Sequence, residues 1–377
     1  MSPKIKLVFC GDFVAKSPEQ IVFSEELVSL IADCNLKCIN FEAPVINKGN
    51  PINKGGSGCL SQSADSPEFL ESMGFNVIAM SNNHMYDFGE TGITETQNKF
   101  RSSLTVGVGT WETAYNVKTV NINNKTIGFL SLTHTEFGVL NDVWDNSIQI
   151  GCAGISYSPI NKIIANAKQT VDYLFIMAHA GIEYLNHPLP EWRDKYRQFI
   201  DCGADAVIAS HPHVPQGWED YNGRPIFYSL GNFFFDMNAT KPYWNDGLIA
   251  LLEIDSNKNS LSYKAEYIHR NNNKIALTDS DEIKKHVQKL CDDLKDDHLY
   301  RLAFEKSLLA FWPLYQNMIL AGLNLERSSI APKNFLRFIS HSFHRKANLP
   351  IFLNLLRCES HLWALRRIIA IQQQNNV

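Results

Sequence analysis

Six short polar strings stand just beyond apolar runs in this chain. Gly11-Asp12 follows Ile5–Cys10, and Glu42 follows Lys37–Phe41. Asn82-Asn83-His84 follows Val77–Met80, with Asp87 three residues on. His179 follows Tyr173–Ala178, with Glu183 four residues later. His211-Pro212-His213 follows Ala206–Ala209, and Asn232 comes just beyond Pro225–Ser229. Imidazole and carboxylate without thiolate suit Zn, Mn, Fe, Ni or Co rather than a Cys-rich structural zinc site. A shared carboxylate can bridge two ions about 3.5–4 Å apart, an arrangement that hydrolyses phosphate esters. His211 and His213 are two residues apart, so an extended segment would turn both rings to one face. Taken singly, each string has a plainer reading. An Asp after Gly is a turn residue, and a lone His is a hydrogen-bonding group. Glu42, among Phe41, Ala43 and Pro44, can be a buried carboxylate paired with an Arg. The convergence carries the argument: parallel strands end on one edge of a sheet, where ligand sites gather.

Those strings need sheets to bring them together. Ile5–Cys10, Lys37–Phe41, Val77–Met80, Val117–Ile122, Thr126–Leu132, Tyr173–Ala178, Ala206–Ala209, Pro225–Ser229 and Leu248–Ile254 read as strands. Ser24–Asp33, Ser66–Met73, Gly92–Ser102, Pro159–Thr170 and Leu189–Cys202 read as helices between them. The alternation predicts an α/β fold with buried sheets. Asn-rich turns join Val117–Ile122 to Thr126–Leu132 and Leu248–Ile254 to Ser262–Arg270. Both pairs read as antiparallel hairpins, so the sheets are mixed. Composition shifts near residue 280. Asp281–Asp297 is dense in both signs of charge and suits an exposed helix. Phe304, Leu308, Phe311, Tyr315 and Met318 form one helical seam, which Pro313 ends or kinks. Ile351, Leu355, Cys358, Leu362, Leu365 and Ile369 form another, and Gln372–Asn376 reads as a frayed end.

Composition excludes several classes. With 377 residues, 45% of them apolar, the chain has ample material for a buried core and is not globally disordered. A net charge of −4 argues against a nucleic-acid partner. No apolar run reaches membrane-spanning length. The N-terminus has no signal-peptide h-region, and the eight cysteines contain no Cys-x-x-Cys pair and no disulfide framework. A reducing, cytoplasmic setting is the expectation, with contact at the membrane periphery as a variant of it.

The strings are also similar to those of a known family. Cys10-Gly11-Asp12, Asn40-Phe41-Glu42-Ala43-Pro44, Ser81-Asn82-Asn83-His84 with Asp87-Phe88-Gly89, and Gly107-Val108-Gly109 come first. Ala178-His179-Ala180-Gly181-Ile182-Glu183-Tyr184, Ser210-His211-Pro212-His213 and Tyr228-Ser229-Leu230-Gly231-Asn232-Phe233 follow. In order and spacing the chain resembles the CapA family of poly-γ-glutamate capsule biosynthesis proteins, within the calcineurin-like metallophosphoesterase superfamily. The resemblance spans residues 4–270. It implies a four-layer α/β/β/α metallophosphoesterase-like sandwich with two divalent transition metals (Mn, Zn or Fe). By motif, Asp12 would bind one metal and Glu42 would bridge. Asn83, His179 and His211 would complete the second site, and His213 would return to the first. His84 would protonate the leaving oxygen, with Asp87 orienting it. Asn82, Glu183 and Asn232 match the pattern and are assigned to the substrate. Two departures from the wider superfamily are shared with CapA-like sequences: Val14 stands where His is usual, and Glu42 where Asp is usual. They leave one metal with fewer protein ligands.

The expected organisation is a CapA-like domain over residues 1–275 and a helical extension over residues 280–377. The expected function is a metal-dependent phosphoesterase-like hydrolase in capsule or envelope polymer biosynthesis, acting on an anionic or phosphate-containing substrate. Two alternatives stand beside it: a non-catalytic assembly factor for a polymer synthase or exporter, and a metal-dependent amidase or peptidase on the same fold. The Gly-rich loop Asn47–Gly58 reads as a rim loop whose Lys48 and Lys54 meet an anionic substrate, or as a solvated loop. Thr133–Gly154 reads as a lid or a packed flap. The tail from Lys333 holds seven Lys/Arg against one Glu. Its seam can dock on the core, pair two copies, or leave a basic face for anionic lipid or an acidic polymer, and docking is favoured.

Overall fold

The structure, a computed structural model, describes residues 4–45, 49–54, 58–237, 240–322 and 349–375. Lys48 and the basic stretch over residues 333–348 lie outside the described residues, as does Asn376.

Among the described residues the strands form two large mixed sheets and one two-stranded ribbon. In the first sheet Ile5–Val14, Leu36–Phe41, Val77–Ala79 and Leu104–Val106 run parallel. Asp246–Asp255, Ser260–Asn271 and Lys274–Leu277 extend it as antiparallel neighbours. The second sheet has a parallel core of Lys125–Thr133, Tyr173–His179, Ala206–Ser210 and Arg224–Leu230. Lys118–Ile122 and Pro215–Tyr221 pair antiparallel at its two edges. Strands such as Tyr173–His179 are buried along their whole length, as near-continuous apolar runs covered on both faces must be. Ser260–Asn271 alternates between exposed and half-buried residues, the period-two signature of a strand with one solvated face.

Three apolar layers hold the sheets and helices together. Leu7, Phe9, Cys38 and Val77 from the first sheet meet Phe129, Phe175, Ile208 and Phe227 from the second. On the outer face of the first sheet, Leu27, Ile31, Leu70 and Ile93 pack down from helices Glu25–Ala32, Ser66–Ser72 and Gly89–Lys99. On the outer face of the second, Ile160 and Ile164 come from helix Ile160–Lys168, and Trp192, Tyr196 and Phe199 from helix Pro190–Asp201. The result is a four-layer α/β/β/α sandwich with mixed sheets. The C-terminal helices join that last layer. Asp297–Leu309 buries Tyr300, Phe304 and Leu308, and Trp312–Gly322 begins with Pro313 at its second residue. Leu349–Arg357 and Glu359–Asn375 bury Leu355, Ala364 and Ile368 in the same cluster, whereas Ile369 is 43% exposed.

The third helix lies three residues earlier than its apolar pattern suggests, at Gly89–Lys99 rather than 92–102. One oxygen of Glu71 accepts the backbone N–H groups of Arg101, Ser102 and Ser103, which takes them out of the helical ladder. Strand Pro215–Tyr221 is too polar to read as one. It is held against Arg224–Leu230 by the Asn222-Gly223 turn, whose φ values are 53° and 75°.

Candidate metal centre

The site is built where strands from both sheets end. Gly11 lets the first strand approach the loop ahead of Asn232: a Cβ there would lie 1.9 Å from the Gly231 carbonyl oxygen. The next residue, Asp12, donates its backbone N–H to that same oxygen at 3.0 Å, and its carboxylate is fully buried. Asp12 Oδ1 accepts from Asn40 Nδ2 at 2.8 Å, and Oδ2 lies 3.2 Å from His213 Nδ1. Asn40 Nδ2 also lies 3.1 Å from His179 Nδ1. His179 Nε2 in turn is 2.9 Å from Asn83 Oδ1 and 3.1 Å from His211 Nδ1. Asp12, Asn83, His179, His211 and His213 therefore form one connected set.

His211 and His213 do not lie on an extended segment. Both have left-handed backbone, with φ of 103° and 59°, and the turn aims their rings to 5.9 Å apart. Non-glycine residues pay about 1–3 kcal/mol for such conformations, which persist where the surroundings enforce them.

Glu42 sits at the middle of this set. Its side chain is fully buried, and neither carboxylate oxygen has a hydrogen-bond partner. Oε1 is 3.5 Å from His179 Nε2 and 3.6 Å from His213 Nε2, too long for hydrogen bonds. Burial, then the charges of Asp12 and Glu183, push its carboxyl well above the usual range. Burial also raises Asp12, but the hydrogen bond and charge of His213 outweigh it and hold this carboxyl low. Burial drives His179 and His211 well below the ordinary imidazole value, whereas the hydrogen bond and charge of Asp12 outweigh burial at His213 and raise it. A buried carboxylate with no hydrogen-bond partner is costly unless a cation completes it. Ligand atoms of Asp12, Glu42 and His213 lie within 4.8 Å of one another, as do those of Glu42, His179 and His211. The donor set fits divalent transition metals, and Glu42 belongs to both triads.

The other expected residues surround this centre. His84 Nδ1 lies 2.7 Å from Asp87 Oδ2, which also accepts the Leu60 N–H at 2.6 Å. Lys54 Nζ lies 2.5 Å from Asp87 Oδ1 and donates to the Asn83 carbonyl at 2.6 Å. Asn82 is buried, and its amide holds the turn: Nδ2 donates to the Phe41 carbonyl and Oδ1 accepts from Met85 N–H. Asn232 stands behind His213, with Oδ1 3.0 Å from Nδ1, and donates to the Trp244 carbonyl. A cavity of about 240 Å³ opens onto Lys54, His84, Glu183 and His211, with Glu183 exposed at its mouth. A larger groove of about 1020 Å³, beside helix Glu25–Ala32, is lined by none of the histidines.

The cavity is also lined by residues outside the expected set. His134 and Glu136 line it, together with Asn354 and His361 from the C-terminal helices. His134 follows strand Lys125–Thr133 as the other site residues follow theirs, so the same strand-end rule singles it out. Nothing in the sequence ties Cys358 or His361 to it. The first half of the 133–154 loop is packed, with Val139, Leu140 and Asp142 buried, whereas Val143 and Trp144 are exposed.

The chain is thus a four-layer α/β/β/α sandwich with a His/carboxylate centre where its parallel strands end. The family model described as Bacterial capsule synthesis protein PGA_cap matches residues 6–237, and the chain belongs to that family. It is 31% identical over 211 residues to "Capsule biosynthesis protein CapA" of Bacillus anthracis, covering 54% of this chain and 51% of that one. It is 31% identical over 209 residues to "PGA biosynthesis protein CapA" of Bacillus subtilis (strain 168), covering 54% and 53%. The chain thus spans about half the length of these curated relatives. The solved structure of TT1561 from Thermus thermophilus aligns with a TM-score of 0.40 at 8% identity, over 70% of this chain and 99% of that one. Among the described residues no helix is long and apolar enough to cross a membrane.

Proposed function

We propose that this chain is a metal-dependent phosphoesterase-like hydrolase acting in capsule or envelope polymer biosynthesis. The observation that supports it most is Glu42: a fully buried carboxylate with two unpartnered oxygens, common to two ligand triads. Asp12, Glu42 and His213 would hold one ion, and Glu42, His179, His211 and Asn83 a second. Ions held there supply Lewis acidity toward a phosphoryl oxygen and a low-pKa water.

The chain's own residues would do the rest. The Asp87 carboxylate occupies His84 Nδ1 and fixes the ring. The nitrogen left to meet substrate is Nε2, from which His84 would pass a proton to a departing oxygen. Lys54 adds a cation to the cavity wall and compensates the buried Asp87 carboxylate. The 240 Å³ cavity admits one phosphoryl group with its immediate substituents rather than a folded polymer, so a chain end or a small intermediate is the favoured substrate. The capsule role is taken from the family and the names of the Bacillus relatives.

The test is turnover of bis(p-nitrophenyl) phosphate and p-nitrophenyl phosphate by the full chain loaded with Mn, Zn or Fe. The reading expects metal-dependent hydrolysis of one of them. A fully loaded chain inert toward both, but hydrolysing an amide with solvent oxygen entering a carboxylate, would replace it with the amidase reading. A loaded chain inert toward all three would leave the assembly-factor reading.

A further inference from the structure

Two residues that line the same cavity, His134 and Glu136, belong to a second cluster of metal-ligating groups. Ligand atoms of His134, Glu136 and Cys358 lie within 4.8 Å of one another, and all three residues are buried. None belongs to the Asp12/Glu42 triads. His134 is completely buried, and its Nε2 has no hydrogen-bond partner. That nitrogen faces Glu136 Oε2 at 3.5 Å. Its other nitrogen is already fixed: Nδ1 lies 2.8 Å from Ser360 Oγ, and that oxygen also accepts Trp192 Nε1–H at 2.9 Å. The contact orients the ring, and the tautomer in which Nδ1–H donates to Ser360 Oγ leaves the Nε2 lone pair facing Glu136, the arrangement outer-shell partners give metal-bound histidines.

From this we infer a metal site separate from the strand-end centre, in which His134, Glu136 and Cys358 hold one Zn-like cation and clip the C-terminal helices to the sandwich. One thiolate, one imidazole and one carboxylate select a borderline-soft ion such as Zn²⁺ over Mg²⁺ or Ca²⁺. Three protein ligands leave a position open, and Glu136 borders the cavity, which supplies an access path. His134 and Glu136 come from the loop after strand Lys125–Thr133, inside the region shared with the family, and Cys358 from beyond it. The site is complete only when the junction between Leu349–Arg357 and Glu359–Asn375 is docked. Docking is independently secured: Arg357 pairs with buried Asp142 at 3.1 Å, and Glu359 accepts the Thr135 N–H at 2.8 Å. The His134 and His211 rings are 4.7 Å apart, so a cation here also adds positive charge beside the strand-end centre.

The inference does not depend on the phosphoesterase reading. Its test is titration of the full-length metal-free chain with Co²⁺, followed by absorption. A thiolate ligand gives a near-ultraviolet charge-transfer band, which nitrogen and oxygen ligands do not. The wild type should show the band, Cys358→Ser should lose it, and Glu42→Gln should keep it. His134→Gln should weaken cobalt binding at the thiolate site at least tenfold, which serves as the second variant if Cys358→Ser misfolds. Absence of the band in the wild type, or its survival in folded Cys358→Ser, would overturn the site. Loss of the band in folded Glu42→Gln would show that there is no separate site.

Discussion

Lys54 Nζ lies 2.5 Å from Asp87 Oδ1, in a pair whose side chains are 7% and 0% exposed. The other Asp87 oxygen holds His84 Nδ1. One buried carboxylate thus ties the rim loop to the imidazole that faces the cavity. Asp87→Asn should lower turnover about 10–100-fold, and His84→Ala about 10²–10⁴-fold. Both variants should keep wild-type metal content, because neither residue belongs to a triad. Turnover of an activated phosphoester and elemental analysis of the same samples check this. Retained turnover in His84→Ala would remove His84 from the proton-transfer role.

Lys54→Met makes the complementary prediction. It strands Asp87 as a buried anion and should cost about 3–5 kcal/mol in urea unfolding. Adding Asp87→Asn should restore much of that loss, since the double variant no longer strands the Asp87 carboxylate. Equal instability of the single and double variants would mean that Lys54 acts through packing alone.

Glu42 predicts an opposition between stability and metal binding. In metal-free protein its unpartnered oxygens are a liability, so Glu42→Gln should raise stability by about 1–3 kcal/mol. With saturating ion the order should reverse. The wild type gains about 2.7 kcal/mol when ion is present at one hundred times its Kd, and the variant should gain little. Thermal melts with and without Mn²⁺ or Zn²⁺ give both numbers.

Arg357 and Asp142 form the buried pair that seats the last two helices, with side chains 7% and 0% exposed. Arg357→Ala should destabilise the chain by about 3–5 kcal/mol and expose the C-terminal helices to protease. Arg357→Met with Asp142→Asn should recover most of the loss. Unchanged proteolysis in Arg357→Ala would show that the Leu355, Ala364 and Ile368 contacts suffice for docking.

Glu219 gives a pH dependence. It accepts from Arg197 and from the Tyr228 hydroxyl, and Arg193 bridges it to the Leu294 carbonyl and Asp297. Burial alone would raise its carboxyl, but these partners, led by Arg197, hold it below the usual 4.5. A lowered folded value means that its stabilisation is complete above pH 4.5 and is lost as pH falls through that lowered value. Glu219→Gln should therefore flatten the acid limb of stability below pH 4.5 and leave its shape above that pH unchanged.

The parallel strands were legible because burial on both faces leaves continuous apolar runs, as at Tyr173–His179 and Ala206–Ser210. The candidate centre was legible because its residues come straight after such runs. Pro215–Tyr221 was hidden because an edge strand can be polar, although Asn222-Gly223 marked its turn. His211 and His213 were legible by type, but not the left-handed turn that aims them. The His134/Glu136/Cys358 cluster was hidden for another reason: Cys358 lies more than two hundred residues beyond His134 and Glu136, and only docking of the last helices joins them.

The most direct measurement is elemental analysis of the purified Cys358→Ser chain, which isolates the strand-end centre, beside the same chain carrying Glu42→Gln. With Glu42 intact the chain should hold about two transition-metal equivalents. Glu42→Gln should remove at least one, in a protein whose unfolding remains cooperative. No bound metal after incubation with Mn, Zn or Fe, or full metal content in folded Glu42→Gln, would contradict the claim that the buried carboxylate is the shared ligand of a metal centre.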